Sequence, residues 1–361
     1  MAQAKWPTTR LLDLFEIDLP IVQAPMAGAQ GAELAAAVSA KGGLGSLPCA
    51  MLSADEARAE AGRIRSSTNR GFGMNFFCHR PPPDDAGAQA RWRDRLAGYY
   101  AELGVEIPPG AAGGRGSFEA ALCEVVEDVR PRVVSFHFGL PDDTLLERVR
   151  RTGAKIVSSA TTVREARHLA EKGVDAVIAQ GAEAGGHRGM FLTEDLAAQV
   201  GTMALVPQIV DAVDVPVIAA GGIADGRGIA AAFALGAAGV QIGTAYLHTP
   251  EARISEMHRK ALASSRDEDS VLTNVFTGRP ARGLRNRIID EVGPISLDAP
   301  AFPLATGYIG PLRARAEAAG SRDFSPLWTG QAGSLGRAMP AGELTVKLAE
   351  DALARLSVLA S

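Results

Sequence analysis

Cysteine is scarce in this chain: Cys49, Cys78 and Cys123 are the only three in 361 residues. They are too few and too scattered for a disulfide framework, and no Cys-x2-Cys or His-x3-His spacing marks a metal site. A reducing compartment follows as the expectation. No apolar run reaches the roughly 20 residues that span a bilayer. The start, Met1 to Arg10, lacks the roughly 7–15-residue apolar core of a secretory signal. The chain is therefore expected in the cytoplasm and not in a membrane. Excess positive charge is missing too: the formal net charge is −4, so nothing favours a nucleic-acid partner. There is no low-complexity tail and no repeat beyond a recurring strand–helix unit.

What is present is apolar and glycine-rich, with 47% hydrophobic residues and 40 glycines. Such a composition suits helices packed closely on a sheet and joined by tight turns. The length exceeds the ~250 residues of one barrel and leaves room for an addition. Short apolar runs alternate with helical stretches at Ile21–Gln23, Gly43–Ser46, Gly71–Asn75, Val133–Phe136, Lys155–Ser158, Ala176–Ala179, Val217–Ala220 and Val240–Gly243. Eight parallel strands covered by helices predict an α/β fold, a (β/α)8 TIM barrel. Ser53 with Glu56, and Thr162 with Glu165, have the spacing of helix capping boxes. Gly173 and Gly236 stand where a helix should stop in a left-handed turn.

Two stretches break the alternation. Residues 79–116 open on His-Arg-Pro-Pro-Pro, carry an amphipathic piece at Ala90–Leu103 and end in Gly-Gly-Arg-Gly, as an insertion on the loop after strand three, a lid or a spacer. From Pro250 to Trp328 the rhythm is lost. The expected division is a barrel of residues 1–249 plus 335–361 and a smaller, mostly helical cap of residues 250–334. Gly342–Leu359 reads as a closing helix.

Barrel chemistry sits at the C-terminal ends of the strands. After strand one, Gln23-Ala24-Pro25-Met26 offers a fixed turn with small residues against which a flat ligand can lie. After strand seven comes Gly221-Gly222, leading into a helix, and after strand eight Gly243-Thr244. Backbone N–H groups there, helped by a helix dipole, suit a phosphate. The loop after strand six, Gln180-Gly-Ala-Glu-Ala-Gly-Gly-His187-Arg-Gly189, presents an imidazole that titrates near neutrality. His187 is the leading acid–base candidate. His137 follows strand four and faces the pocket or packs beneath it. Asn75, Gln180 and Gln241 carry amides suited to the edge of a heteroaromatic ring. His79 and His248 carry no comparable signal, and His168 and His258 are expected to be solvated. Arg279, Arg282, Arg285 and Arg287 form a basic run, expected as a solvated loop that guides an anionic substrate at most.

These motifs together resemble the nitronate monooxygenases, formerly 2-nitropropane dioxygenases. The resemblance rests on residues 23–26, Ser-Phe-His-Phe-Gly-Leu-Pro at 135–141, residues 180–189, Ala-Gly-Gly-Ile-Ala at 220–224 and Gln-Ile-Gly-Thr at 241–244. Thr277–Arg282 and Trp328-Thr-Gly-Gln331 extend it over most of the chain. It implies a non-covalent FMN held by Asn75, Gln180, Gly185, Gly222, Gln241, Ile242, Gly243 and Thr244, with backbone near Ala24 and Met26 flanking the ring. It further implies a catalytic His187 and oxidation of nitronates or nitroalkanes, such as propionate 3-nitronate, by dioxygen to a carbonyl compound and nitrite. A flavin-dependent enoyl-acyl-carrier-protein reductase, or another NAD(P)H-dependent reductase, shares the barrel and a similar Gly-Gly-His loop. A non-catalytic flavin-binding protein and a flavin-free phosphate-binding lyase or isomerase are further alternatives. An IMP-type dehydrogenase would need a catalytic cysteine in a barrel loop, and neither Cys49 nor Cys78 stands in a convincing one. Substrate and oligomeric state stay open at this level.

Overall fold

Short runs of Val, Ile, Ala and Phe with buried side chains on both faces favour a parallel sheet covered by helices. The computed structural model, which describes residues 5–83, 85–111 and 116–360, has this architecture. Met1–Ala4 of the chain start and Gly113–Arg115 of the Gly-Gly-Arg-Gly run lie outside the described residues. Eight parallel strands form the barrel: β1 (Ile21–Gln23), β2 (Ser46–Pro48), β3 (Gly73–Phe77), β4 (Val133–His137), β5 (Lys155–Ala160), β6 (Ala176–Gln180), β7 (Val217–Ala220) and β8 (Gly239–Ile242). Each pairs with its sequence neighbour, and β1 pairs with β8. Closure between β1 and β2 rests on a bridge from Val22 to Leu44, where Leu44 N–H donates to Ile21 and Gln23 N–H to Leu44, both at 2.9 Å. The fold is a (β/α)8 TIM barrel.

Inward-facing Val22, Leu44, Val133, Val157, Ile178 and Ile218 share one cluster with Leu11 and Phe15 of helix Arg10–Phe15. That helix fills one end of the barrel and leaves the other for a ligand. Outside, helix Ala341–Ala360 packs on helices Gly226–Ala234 and Ala32–Ala40. A Cβ on Gly226 would lie 2.5 Å from the Asp351 backbone, so the first of these contacts requires glycine. Among the described residues no helix is long and apolar enough to cross a membrane.

Three local expectations change, and one element is added. Strand two lies further along, at Ser46–Pro48, because the Gly43–Gly45 segment makes the closing bridge. Strand three ends at Phe77, so Asn75 lies inside it and Phe77 takes its last position. The Ser53–Glu56 box forms completely, but the second forms by half. Thr162 accepts from Glu165 N–H, while the buried Glu165 carboxylate turns to Thr161, Phe191 and Leu192 instead. Finally, the region beyond β8 is not helical alone: Ser270–Thr273, Ala281–Leu284 and Gly186–His187 form an antiparallel sheet.

The helix of the 79–116 stretch, Ala86–Leu103, buries Trp92, Leu96 and Tyr100 against Tyr308, Ile309 and Leu312 of helix Ala305–Ala318. Tyr100 donates its hydroxyl to the Tyr308 carbonyl, and Tyr308 donates its own to Gln89. The two helices thus share one apolar core.

Candidate functional site

The strand ends of the open mouth line a cavity of about 310 Å³, a size that holds a small ligand or cofactor. Ala24, Met26, Asn75, His137, Gln180, Gly185, His187, Gly222, Gln241, Gly243 and Thr244 all lie on its wall. Ile242 does not: its fully buried side chain belongs to the outer core, and its carbonyl accepts the Ala24 N–H at 2.8 Å.

One end of the cavity is a row of unused donors. Gly221 and Gly222 have φ of 109° and 69°, a turn that L side chains rarely make and that exposes the backbone here. The N–H groups of Gly222, Gly243 and Thr244 meet no acceptor among the described residues. The Thr244 hydroxyl accepts from Gly330 N–H at 2.9 Å and keeps its own proton to donate. Helix Gly226–Ala234, expected to add its dipole, does not do so freely. The Asp225 carboxylate caps it, accepting from the Arg227 and Gly228 amides.

The other end is built around His187. This residue is no flexible-loop histidine: it pairs with Ala281 in the small sheet and is 8% exposed. Its Nε2 lies 3.0 Å from the Thr277 hydroxyl. Its carbonyl accepts from Gln180 Nε2 at 3.0 Å and from His137 Nε2 at 3.1 Å. Gln180 Oε1 accepts from Gly189 N–H at 2.7 Å, so both ends of this amide hold the loop. Arg188 is fully buried beneath it and donates to the Gln180 and Gly181 carbonyls, both at 2.7 Å. Burial, with Arg282 nearby, lowers its guanidinium to about 10, so it remains charged.

His137 donates from Nε2, so its Nδ1 accepts from the Ser159 hydroxyl at 3.1 Å. Burial, with Arg279 and Arg188 adding repulsion, pushes this imidazole down to about 3. It is neutral at ordinary pH and holds the His187 backbone in place. Asn75 donates from Nδ2 to Ser135 at 2.9 Å, leaving its Oδ1 toward the cavity without a donor among the described residues.

Several expectations are corrected at this site. His258 is buried: it lines the cavity and donates from Nε2 to the Trp328 carbonyl at 3.2 Å. Burial, with Arg313, Arg259 and His248 close by, pushes it down to about 4. Arg279 lies 4.0 Å over the Phe138 ring and bonds the Met190 carbonyl, and the buried Arg282 holds the Ala182 carbonyl at 3.0 Å. Only part of the basic run is solvated. Phe77, Ser159, Thr277, Trp328 and Gly330, which have no role assigned above, all bear on this site.

A family model described as nitronate monooxygenase matches residues 8–351. The chain belongs to the nitronate monooxygenase family. A nitronate monooxygenase of Pseudomonas aeruginosa is 41% identical over 95% of this chain and 99% of its own length. The solved nitroalkane oxidase of Streptomyces ansochromogenes is 43% identical, covers 98% of this chain and 100% of its own, and superposes with a TM-score of 0.89. FabK from Thermotoga maritima is more distant, at 29% identity over 98% of both chains and a TM-score of 0.75. The protein is thus an oxidoreductase of the nitronate monooxygenase family.

The buried imidazoles give this family member a pH-dependent stability. His137 and His258 are neutral in the fold but protonate near 6.5 once unfolded, so stability is full above that pH and drains as pH falls toward 4. Between pH 7.5 and 5.5 the two should together remove about 3 kcal/mol. Urea unfolding at both pH values tests this, and His258→Gln should abolish about half of the difference. A stability that does not change would mean that both rings take up protons in the fold as readily as in the unfolded chain.

Proposed function

We propose that the cavity binds FMN and that the protein oxidises alkyl nitronates with dioxygen to a carbonyl compound and nitrite. The observation that carries this reading is one cavity with free backbone donors at Gly222, Gly243 and Thr244 and an acid–base imidazole, His187, at its other end. The donor set suits a phosphate, and the glycines leave room where side chains would fill the cradle. Asn75 and Gln241 would meet the edge of the flavin ring, Gln180 and Gly185 would border it from the His187 loop, and the Ala24–Met26 turn would flank its face. Ile242 would contribute backbone alone. When bound, FMN supplies the electron transfer between nitronate and dioxygen. Two nitronate anions and one dioxygen give two carbonyls and two nitrites, with atoms and charge in balance.

The protein's own part is position and charge. His187 would take the α-proton of a neutral nitroalkane, or face the nitro oxygens of a nitronate. Thr277, 3.0 Å from its Nε2, would orient the ring. We divide the chain into a barrel of residues 1–249 plus 335–361 and a cap of residues 250–334, with helix Ala86–Leu103 docked on that cap. The unpaired cysteines agree with a cytoplasmic setting.

The visible spectrum of the FMN-loaded protein, held without oxygen, tests the reading. Ethyl nitronate should change the flavin absorbance, and air should restore it with release of nitrite. A flavin that ignores nitronate but bleaches with NADPH would favour a reductase. A protein that takes up no FMN would overturn the proposal. The phosphate end has its own test. Gly243 has φ of −108°, outside the left-handed region, and a Cβ there would meet nothing closer than Ala24 at 3.5 Å, so a valine side chain has room. Its methyl groups would cover the free amides. Gly243→Val should weaken FMN binding at least about tenfold, the loss of one or two hydrogen bonds to a charged group, with thermal stability of the flavin-free protein unchanged. Flavin titration by fluorescence quenching measures this.

A further inference from the structure

The turn after β8 meets the far end of the chain beside the free amides of the cavity. Helix Thr244–Leu247 is a single turn closed by His248, so residues 244 and 248 share one face. Both meet the segment 328–336, whose Trp328, Thr329, Gly330 and Ala332 line the cavity. Gly330 N–H donates to the Thr244 hydroxyl at 2.9 Å, and His248 Nε2 donates to the Gly333 carbonyl at 3.0 Å. Gly333 N–H closes back on the Gly330 carbonyl at 3.2 Å. The helical turn therefore holds the tight turn 330–333 at both ends, by its first amide and its last carbonyl. On the other side, Gln331 N–H donates to the Glu183 carbonyl at 3.0 Å.

His248 is suited to a fixed contact. Burial lowers its pKa below the ordinary value, with Arg259 adding repulsion and the Gly333 bond opposing, so at neutral pH the ring carries one proton. A carbonyl only accepts, which places that proton on Nε2. A Cβ on Gly336 would lie 2.1 Å from His248 Cδ2, so the ring packs directly on bare backbone. The side chain does not itself line the cavity.

The consequence falls on Thr244. With Gly330 N–H on its oxygen, this hydroxyl has its own proton left to give, and no acceptor for that proton stands among the described residues. Such a hydroxyl suits a group that only accepts, as phosphate oxygens do. We propose that His248 is a positioning residue for the cofactor phosphate: by anchoring Gly333 it keeps Gly330 N–H on Thr244 and so aims the Thr244 proton at the phosphate. This rests on the FMN reading above and adds to it a residue outside the cavity wall.

FMN and riboflavin differ by the phosphate alone, so their affinities for the flavin-free protein, titrated by fluorescence quenching, test the proposal. His248→Phe keeps a ring over Gly336 and removes the donor. It should weaken FMN binding about tenfold, the loss of one hydrogen bond to a charged group, and leave riboflavin within about twofold. His248→Gln, whose amide reaches about as far as Nε2, should restore most of the FMN affinity. In a Thr244→Val background, His248→Phe should cost FMN less than about twofold, because the hydroxyl it positions is gone. If phenylalanine prevents folding, His248→Asn, whose amide stops short of Gly333, carries the same expectations. Equal losses for FMN and riboflavin, an unchanged FMN affinity, or a tenfold loss that persists beside Thr244→Val would each overturn the proposal and leave the FMN reading standing. A wild-type protein that binds riboflavin as tightly as FMN would remove the phosphate reading, and this inference with it.

Discussion

Replacing His187 with Asn should leave FMN bound and reduce turnover of a neutral nitroalkane by about 10²–10⁴-fold, the range for loss of a general base. The substitution is close to a pure test of proton transfer. Asparagine is smaller than histidine and its amide stops short of the Nε2 position that meets the Thr277 hydroxyl, but the backbone stays paired to Ala281 and held by Gln180 and His137. The free amides of Gly222, Gly243 and Thr244 belong to other strand ends and are unaffected. The decisive readout is a split between substrates. A pre-formed nitronate has no proton to lose, so its turnover should fall far less than that of the parent nitroalkane. Equal losses for both would assign His187 to anion binding. No loss for either would remove it from the mechanism. Thr277→Val should show the same split in weaker form, about tenfold, because it frees the ring without removing it.

What was legible in the sequence is what local physics controls. Glycines at 221, 222 and 243 leave the backbone bare where few other residues would, and they mark the end of the cavity that carries the free amides. Seven of the eight strand candidates overlap their strands broadly, because buried β-branched runs have few other uses. The eighth, Gly43–Ser46, touches β2 at Ser46 only, since glycines at 43 and 45 hide a closing bridge inside an apolar run. At β3 the apolar run continues through Phe76 and Phe77, and nothing local says where pairing stops.

Long-range packing was not legible. His258 sits among Glu256, Arg259 and Lys260, a polar neighbourhood in sequence, yet the helix presents it inward because the Trp328 carbonyl needs a donor. Thr277 lies 90 positions from His187, and only the sheet that joins Ala281 to His187 brings them together. Arg279 and Arg282 look like surface charge until Phe138 and the Ala182 carbonyl are placed beside them. In each case the partner comes from a distant segment, and the motif carries no trace of it.

Arg188 is where such hidden packing should matter most. Arg188→Met should destabilise the protein by about 3 kcal/mol and loosen FMN binding. The guanidinium is fully buried and makes three hydrogen bonds, to the carbonyls of Gln180 and Gly181 and to Gln199 at 2.8 Å. Methionine fills most of the volume and relieves a buried charge, which offsets part of the damage. It strips an Arg188 donor from the Gln180 carbonyl, from the half-buried Gln199 amide and from the Gly181 carbonyl, which keeps only the Ala184 N–H at 3.1 Å, each loss costing about 1–3 kcal/mol. The offset keeps the net effect near the lower end of that sum. Arg188→Lys is the sharper control, because it keeps the charge but cannot reach three acceptors in one plane. If charge alone mattered, lysine would restore stability. If the fork geometry holds the end of β6 and the His187 loop together, lysine should recover less than half. Urea unfolding of the three proteins, with flavin affinity measured alongside, separates these outcomes. Wild-type stability in the methionine variant would show that the clamp is dispensable and that Gln180 and His137 hold the loop without it.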